Sequence, residues 1–405
     1  MSGTKILLIT GEYPPMEGGV ADFTAIVGER LAQRGVDVHV LTSEQAQPLQ
    51  ERRGPVTVHA RMDDWGFRPL YRTVRELVDT LSPDLINIQY QTAAFGMHPA
   101  INLLPRYLGG VPFVTTFHDL KVPYLLPKAV RLRRWVNREL ARSCAATIVT
   151  NAQDREALEQ VAGIRRVEMI PIGSNISFRL PPGFDRAAWR AQWGVADRTM
   201  LLSFFGFLND SKGAIELIQA LKQLTSERRP VDLVMIGGAV SSSNASNQLY
   251  YDRVKNMITE NRLDDHVFWT GYIANEEVSA AFASSDVCVL PFADGVSFRR
   301  GSLMAALTHG VPIISTHPEV PVPELVHGEN IYLVPPHKAS AVADAVRELS
   351  QDADLRARLA RGARELSRQF DWDTIADQTL ALFQEVLAAS RVNVPLQNAD
   401  ESTDH

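Results

Sequence analysis

A short apolar strand, a glycine-bearing turn, an amphipathic helix and a second apolar strand follow one another twice in this chain, and few folds accept such a pair. The first instance runs from Lys5 to Thr10, through the loop Gly11 to Gly19, into a helix marked by Val20, Phe23, Val27 and Leu31, and past Gly35 into Asp37 to Thr42. The second runs from Met200 to Phe205, through Gly206 to Gly213, along Ile215, Leu217, Ile218 and Leu221, and into Val231 to Ile236. A βαβ unit of this kind opens a doubly wound parallel sheet, whose ligands sit beyond the carboxyl ends of the strands. Two openings predict an α/β chain of two doubly wound, Rossmann-like domains, and 405 residues are more than one core usually serves.

Further strands are expected at Leu85 to Ile88, Pro112 to Thr116, Ala146 to Thr150, Glu168 to Pro171, Val267 to Trp269, Val287 to Leu290, Val311 to Ser315 and Ile331 to Val334. The Pro- and Gly-containing stretch Asn175 to Gly183 has the composition of a linker. The expected organisation is residues 1–178, residues 179–372, a final helix over 373–390 and a polar, disordered tail over 391–405.

A formal charge of −6 and a pI near 6.0 exclude a protein that coats nucleic acid, which must neutralise phosphates over a broad surface. Cys144 and Cys288 stand far apart and outside any C-x-x-C spacing, which gives neither a disulfide framework nor a cysteine metal site. The ten histidines do not cluster, so no metal and no cofactor is expected. No stretch has the length of a signal-peptide core or a membrane span, and a cytoplasmic protein is expected. Between Lys121 and Arg142 seven cations stand against the single acid Glu139, interleaved with Leu132, Trp135, Val136 and Leu140. Such a helix is either a solvated face or a peripheral contact with the anionic inner face of a membrane.

The loops directly after strands are where chemistry is expected. Gly18 and Gly19 either bring backbone amides close to an anion or a sugar, or merely turn the chain. His118 follows an apolar strand directly, with Asp119 beside it. In the second half, Gly206 to Gly213 places Lys212 at a helix start, where amides and a positive charge suit a diphosphate. The strongest local signal is Asp294-Gly295-Val296-Ser297-Phe298-Arg299-Arg300-Gly301-Ser302: two guanidinium groups beside a Gly-Ser helix start make an anion site.

Taken in order, Gly18-Gly19-Val20-Ala21, Thr116-Phe117-His118-Asp119, Ile170-Pro171-Ile172-Gly173, Gly206 with Lys212-Gly213, Gly271, Asp286 with Pro291, Gly310-Val311-Pro312 and Pro323-Glu324-Leu325-Val326 resemble the retaining glycosyltransferases of family 4. The resemblance implies the GT-B fold, two Rossmann-like domains facing a central cleft. It implies an NDP-sugar donor on the C-terminal domain, a lipid-linked or small-molecule acceptor on the N-terminal one, and a last helix packed back on the first domain. It implies roles for His118 and Lys212 in transfer, with Gly18, Gly19, Gly206, Lys212, Ser297, Arg299, Arg300, Gly301 and Ser302 around the donor. The sequence departs from the family in two places. The paired glutamates of the family fall on Ser297 and Ala305, and the arginine that often follows the glycine of the first turn is Phe207. The resemblance therefore leaves open a partner subunit without transfer activity, or an NDP-sugar epimerase or hydrolase.

Overall fold

The computed structural model describes residues 3–16, 18–46, 52–120, 130–174, 176–237 and 245–392. Met1–Gly173 with Trp372–His405 forms one compact unit, and Ser174–Asp371 forms the other.

The first unit is built on strands β1 (Lys5–Thr10), β2 (Asp37–Ser43), β3 (Arg52–Arg53), β4 (Val56–Met62), β5 (Leu85–Tyr90), β6 (Phe113–Phe117), β7 (Ala146–Val149) and β8 (Val167–Met169), in the order β3-β4-β2-β1-β5-β6-β7-β8. All pairings are parallel except β3 with β4. β1 and β5 lose all exposure beyond Lys5, because helices cover both faces of a parallel sheet and every side chain is enclosed. The order reverses at β1, so the loop after β1 leaves from the topological switch point. β4 was not among the expected strands. Its Val56, Val58, Ala60 and Met62 alternate with Thr57, His59 and Arg61, the half-exposed pattern of a strand near a sheet edge, which the search for apolar runs passes over.

Trp372–Val392 is the final helix and belongs to this unit. Ile375, Leu382, Phe383 and Val386 join the core of Val27, Leu31 and Val38. Arg34 fixes its start, with Nε donating to Asp377 at 2.6 Å and Nη2 to Asp373 at 3.1 Å. Arg391 and Val392, placed in the expected tail, continue this helix; the rest of that tail, from Asn393 onward, lies outside the described residues, as do Lys121 and Lys128 of the basic segment.

The second unit carries β9 (Met200–Phe205), β10 (Val231–Ile236), β11 (Val267–Gly271), β12 (Val287–Leu290), β13 (Ile313–Thr316) and β14 (Tyr332–Val334), in the order β11-β10-β9-β12-β13-β14 and all parallel. β13 starts at Ile313 and not at the expected Val311: Pro312 has no N–H to give to a ladder, and only its carbonyl takes part, accepting from Cys288 N at 2.8 Å. The switch point lies between β9 and β12, so the turn after β9 and the loop after β12 leave neighbouring strands side by side. Ser174 and Ile176 to Phe178, grouped with the first domain on sequence, are tied to this unit. Ser279 Oγ donates to Ser177 O at 3.3 Å and accepts from Arg179 N at 3.1 Å, and Ile176 packs in this unit's core.

Candidate functional site

The turn after β9 is shaped by two glycines. Gly206 has φ +116°, a conformation that side chains disfavour, and Gly213 has φ +68°. A Cβ on Gly213 would stand 1.8 Å from the carbonyl oxygen of Pro291, so the turn and the loop after β12 touch backbone to backbone there. Between them Asn209 Oδ1 accepts from Ser211 N at 3.0 Å and from Ser211 Oγ at 2.8 Å. Ala293 N donates to Ser211 O at 3.0 Å and fastens the two loops a second time.

This junction brings two of the expected cations together. Lys212 Nζ donates to Ser302 Oγ at 3.0 Å, and a Cβ on Gly206 would lie 3.7 Å from that same Nζ. Arg300 Nη1 donates to Ser211 Oγ at 3.1 Å, and Nη2 is paired with Asp294. Both cations stand over the ring of Phe292, which is fully buried: Lys212 Nζ at 5.3 Å and the Arg300 guanidinium at 4.9 Å from its centre. Burial, reinforced by the charge of Arg300 and opposed by Asp294, lowers Lys212 to about 8.

The helix Gly301–His309 begins at the same place. Its N-cap Arg300 makes no side-chain cap, and its first turn carries no acid. The first-turn amides and the positive end of the helix dipole are therefore without a side-chain cap or a first-turn carboxylate. Lys212, Arg300 and this helix start thus converge beside Gly206. Arg299 and Ser297 are half-buried nearby in sequence, and Ser297 O accepts from Arg300 N at 3.1 Å.

In the first unit, Gly11 is required because a Cβ would come within 2.0 Å of Ala94 O. Gly18 has extended backbone, and a Cβ there would press only on the mobile end of Glu12. Gly19 opens the helix Gly19–Gln33 with nothing within 4 Å of a Cβ. His118 is buried at the end of β6, and its protonation pattern follows from a chain of amides that sequence reasoning did not single out. Asn87 Nδ2 donates to Val114 O at 3.2 Å, which turns Asn87 Oδ1 toward Gln89. Gln89 Nε2 donates to that oxygen, leaving Gln89 Oε1 as an acceptor 2.8 Å from His118 Nε2. His118 therefore carries its proton on Nε2, and Nδ1 is a bare lone pair with no partner among the described residues. Burial lowers His118 to about 4, so the ring is neutral at pH 7. The signal in sequence was Asn87 and Gln89 two apart in an otherwise apolar central strand.

Among the described residues no group of three or more His, Cys, Asp or Glu is placed to hold a metal ion, and no helix is long and apolar enough to cross a membrane.

A profile described as Glycosyltransferase Family 4 matches residues 17–178, and one described as Glycosyl transferases group 1 matches residues 185–366. The chain belongs to glycosyltransferase family 4. A D-inositol 3-phosphate glycosyltransferase of Arthrobacter sp. (strain FB24) is 28% identical over 405 aligned residues, covering 93% of this chain and 94% of that one. A GDP-mannose-dependent alpha-(1-6)-phosphatidylinositol monomannoside mannosyltransferase of Mycobacterium tuberculosis (strain ATCC 25618 / H37Rv) is 25% identical, covering 92% and 96%. The solved structure of Anabaena HepE in complex with UDP aligns with a TM-score of 0.73 at 22% identity, over 94% of this chain and 100% of that one, and the fold is GT-B. For a family 4 glycosyltransferase the two departures now have a setting. Ala305 is wholly enclosed in the core, with its carbonyl accepting from His309 Nδ1 at 2.7 Å, and Phe207 stands 45% exposed on the turn that holds Lys212.

Proposed function

We propose that this family 4 glycosyltransferase transfers a sugar from an NDP-sugar to its acceptor with retention, and holds the donor diphosphate on Lys212, Arg300 and the amides of Gly301 and Ser302. The observation that carries this reading is their convergence beside Gly206 at the switch point of the second sheet. Arg299 joins them in this reading, and Ser297 binds a sugar hydroxyl where a carboxylate is absent. As the sugar leaves, charge grows on the diphosphate, and fixed cations over a buried ring stabilise it without reorganising. The acceptor's proton passes to the departing diphosphate, so no protein nucleophile is required. A thermal-shift panel of UDP-, GDP-, ADP- and dTDP-sugars tests the reading: one donor class raises the melting temperature, and a flat panel contradicts it.

His118 and the Gly18-Gly19 turn act on the sugar. The Nδ1 lone pair of a neutral imidazole accepts a hydroxyl hydrogen, and holding the sugar contributes through orientation. His118→Ala is expected to lower kcat by about 10- to 100-fold while NDP affinity stays within a factor of two. Parallel loss of NDP affinity and turnover would remove His118 from the sugar.

The acceptor in this reading is lipid-linked, and the first unit presents a surface suited to it. On the helix Val130–Ser143, Arg131, Arg134 and Arg138 are exposed and make no ion pair among the described residues. Leu132 and Trp135 are exposed at 60% and 47%. Arg133 donates to Met97 O at 3.3 Å, and the neighbouring His98 meets the exposed Phe67 ring at 5.4 Å, so the patch continues onto the helix Phe67–Leu81. Cations beside exposed rings suit an anionic bilayer surface, each cation contributing about 1 kcal/mol. Flotation with vesicles rich in phosphatidylglycerol at low salt is expected to carry the protein upward, and Arg131→Ala/Arg134→Ala/Arg138→Ala to leave it behind. Wild-type protein that does not float removes the membrane contact.

A further inference from the structure

The amino ends of β9, β10 and β12, at the opposite edge of the second sheet from Gly206, border a half-open cavity of about 320 Å³ that lies apart from the proposed donor corner. Arg198, Arg229 and Arg356 line it, coming from the turn before β9, the turn before β10 and the helix Ala353–Ser367. Arg198 makes no hydrogen bond or ion pair among the described residues. Arg356 is bonded through its guanidinium to Leu349 O, a carbonyl without formal charge, so its positive charge has no carboxylate partner among the described residues. Arg229 donates to Glu227 at 3.2 Å, but Glu227 also takes both Nε and Nη2 of Arg347, at 3.0 and 2.6 Å.

The acids on the wall do not offset these cations. Asp286 is already engaged by Arg186 at 2.6 Å, by Arg190 at 3.2 Å and by Leu201 N at 2.8 Å. Asp197 is exposed at the rim. A small concave space with three guanidinium groups and one unengaged acid is an anion site. The planar fork of arginine matches the oxygens of a phosphate in a way that a lysine cluster does not. The volume lies at the lower end of small-molecule sites and well above what a bare phosphate fills.

We infer that this cavity is a second ligand site, separate from the donor diphosphate corner, and that it takes the phosphate monoester of a small metabolite. Ser350 and Thr199 complete the wall beside the three arginines.

Calorimetry with glucose 6-phosphate and with inorganic phosphate, on wild type, Arg198→Ala, Arg198→Glu and Lys212→Ala, tests this. Arg198 is exposed and unpartnered, so neither of its variants endangers the fold. The ester is expected to bind wild type more tightly than inorganic phosphate does. Arg198→Ala should weaken it about tenfold, Arg198→Glu should abolish it, and Lys212→Ala should leave it unchanged. Absence of binding to wild type, or affinity that survives both Arg198 variants, overturns the site. Loss in Lys212→Ala alone assigns the phosphate to the donor corner and likewise overturns it. Equal affinity for the ester and inorganic phosphate overturns the assignment of an ester.

Discussion

Lys212→Ala is expected to lower kcat/KM by about 100- to 1000-fold, the loss seen when one preorganised group facing a developing oxyanion is removed. The ammonium is held by Ser302 Oγ and by the Phe292 face, and in the proposed role a group so preorganised stabilises the leaving diphosphate more than the bound donor. The loss should therefore fall on kcat as well as on KM. A loss confined to KM would make Lys212 a binding group only.

The same residue gives the reaction a pH dependence of known sign. With Lys212 lowered to about 8, the free enzyme carries the charged ammonium below that pH and loses it above. The profile of kcat/KM should fall on the alkaline side with a midpoint near 8, and Lys212→Arg, whose charge persists, should flatten that limb. His118, lowered to about 4, stays neutral throughout the range and adds no limb near neutrality.

Much of this fold could be read from the residues because doubly wound sheets advertise themselves: buried parallel strands are continuous apolar runs, and glycines mark the turns at their carboxyl ends. Met200 to Phe205 and Val231 to Ile236 were legible for that reason. β4 was not, since its alternation of Val56, Val58 and Ala60 with polar residues carries less apolar signal than the runs beside it. Within the candidate site, Lys212 and Arg300 were nameable from their loops, yet nothing local says that they share one aromatic ring. Phe292, two residues past the strand Val287 to Leu290, carries no signal of its own in the sequence. The tautomer of His118 is likewise set by Asn87 and Gln89 on β5, with Asn87 oriented by Val114 of β6, the strand that His118 follows, contacts that exist only once β5 and β6 pair.

The arginine pair carries the other large effect. The family places a cation on the turn after β9, where this chain has Phe207, and the structure brings Arg300 to that same turn from the loop after β12 through its bond to Ser211. Asp294 and the Phe292 ring hold the guanidinium in one orientation, which lowers the ordering cost of binding a ligand there. In the proposed donor site an incoming diphosphate meets a charge already fixed, beside a helix start that has no side-chain cap. Removing both arginines takes away charge-assisted hydrogen bonds and leaves Asp294 unneutralised next to the donor phosphates, so two unfavourable changes act together. Arg299→Ala/Arg300→Ala is expected to weaken NDP binding by about 2–4 kcal/mol. Lysine at both positions should recover only part of this, because an ammonium cannot bridge Ser211, Asp294 and a phosphate with one planar group.

Calorimetric titration of wild type, the double alanine and the double lysine variant with the NDP that the thermal-shift panel selects measures this directly. The rebuilt donor corner predicts three separated affinities, with wild type tightest, lysine intermediate and alanine weakest by about 30- to 1000-fold. An alanine variant that binds NDP as tightly as wild type would contradict it, and would leave Arg300 as a structural partner of Asp294 and Ser211.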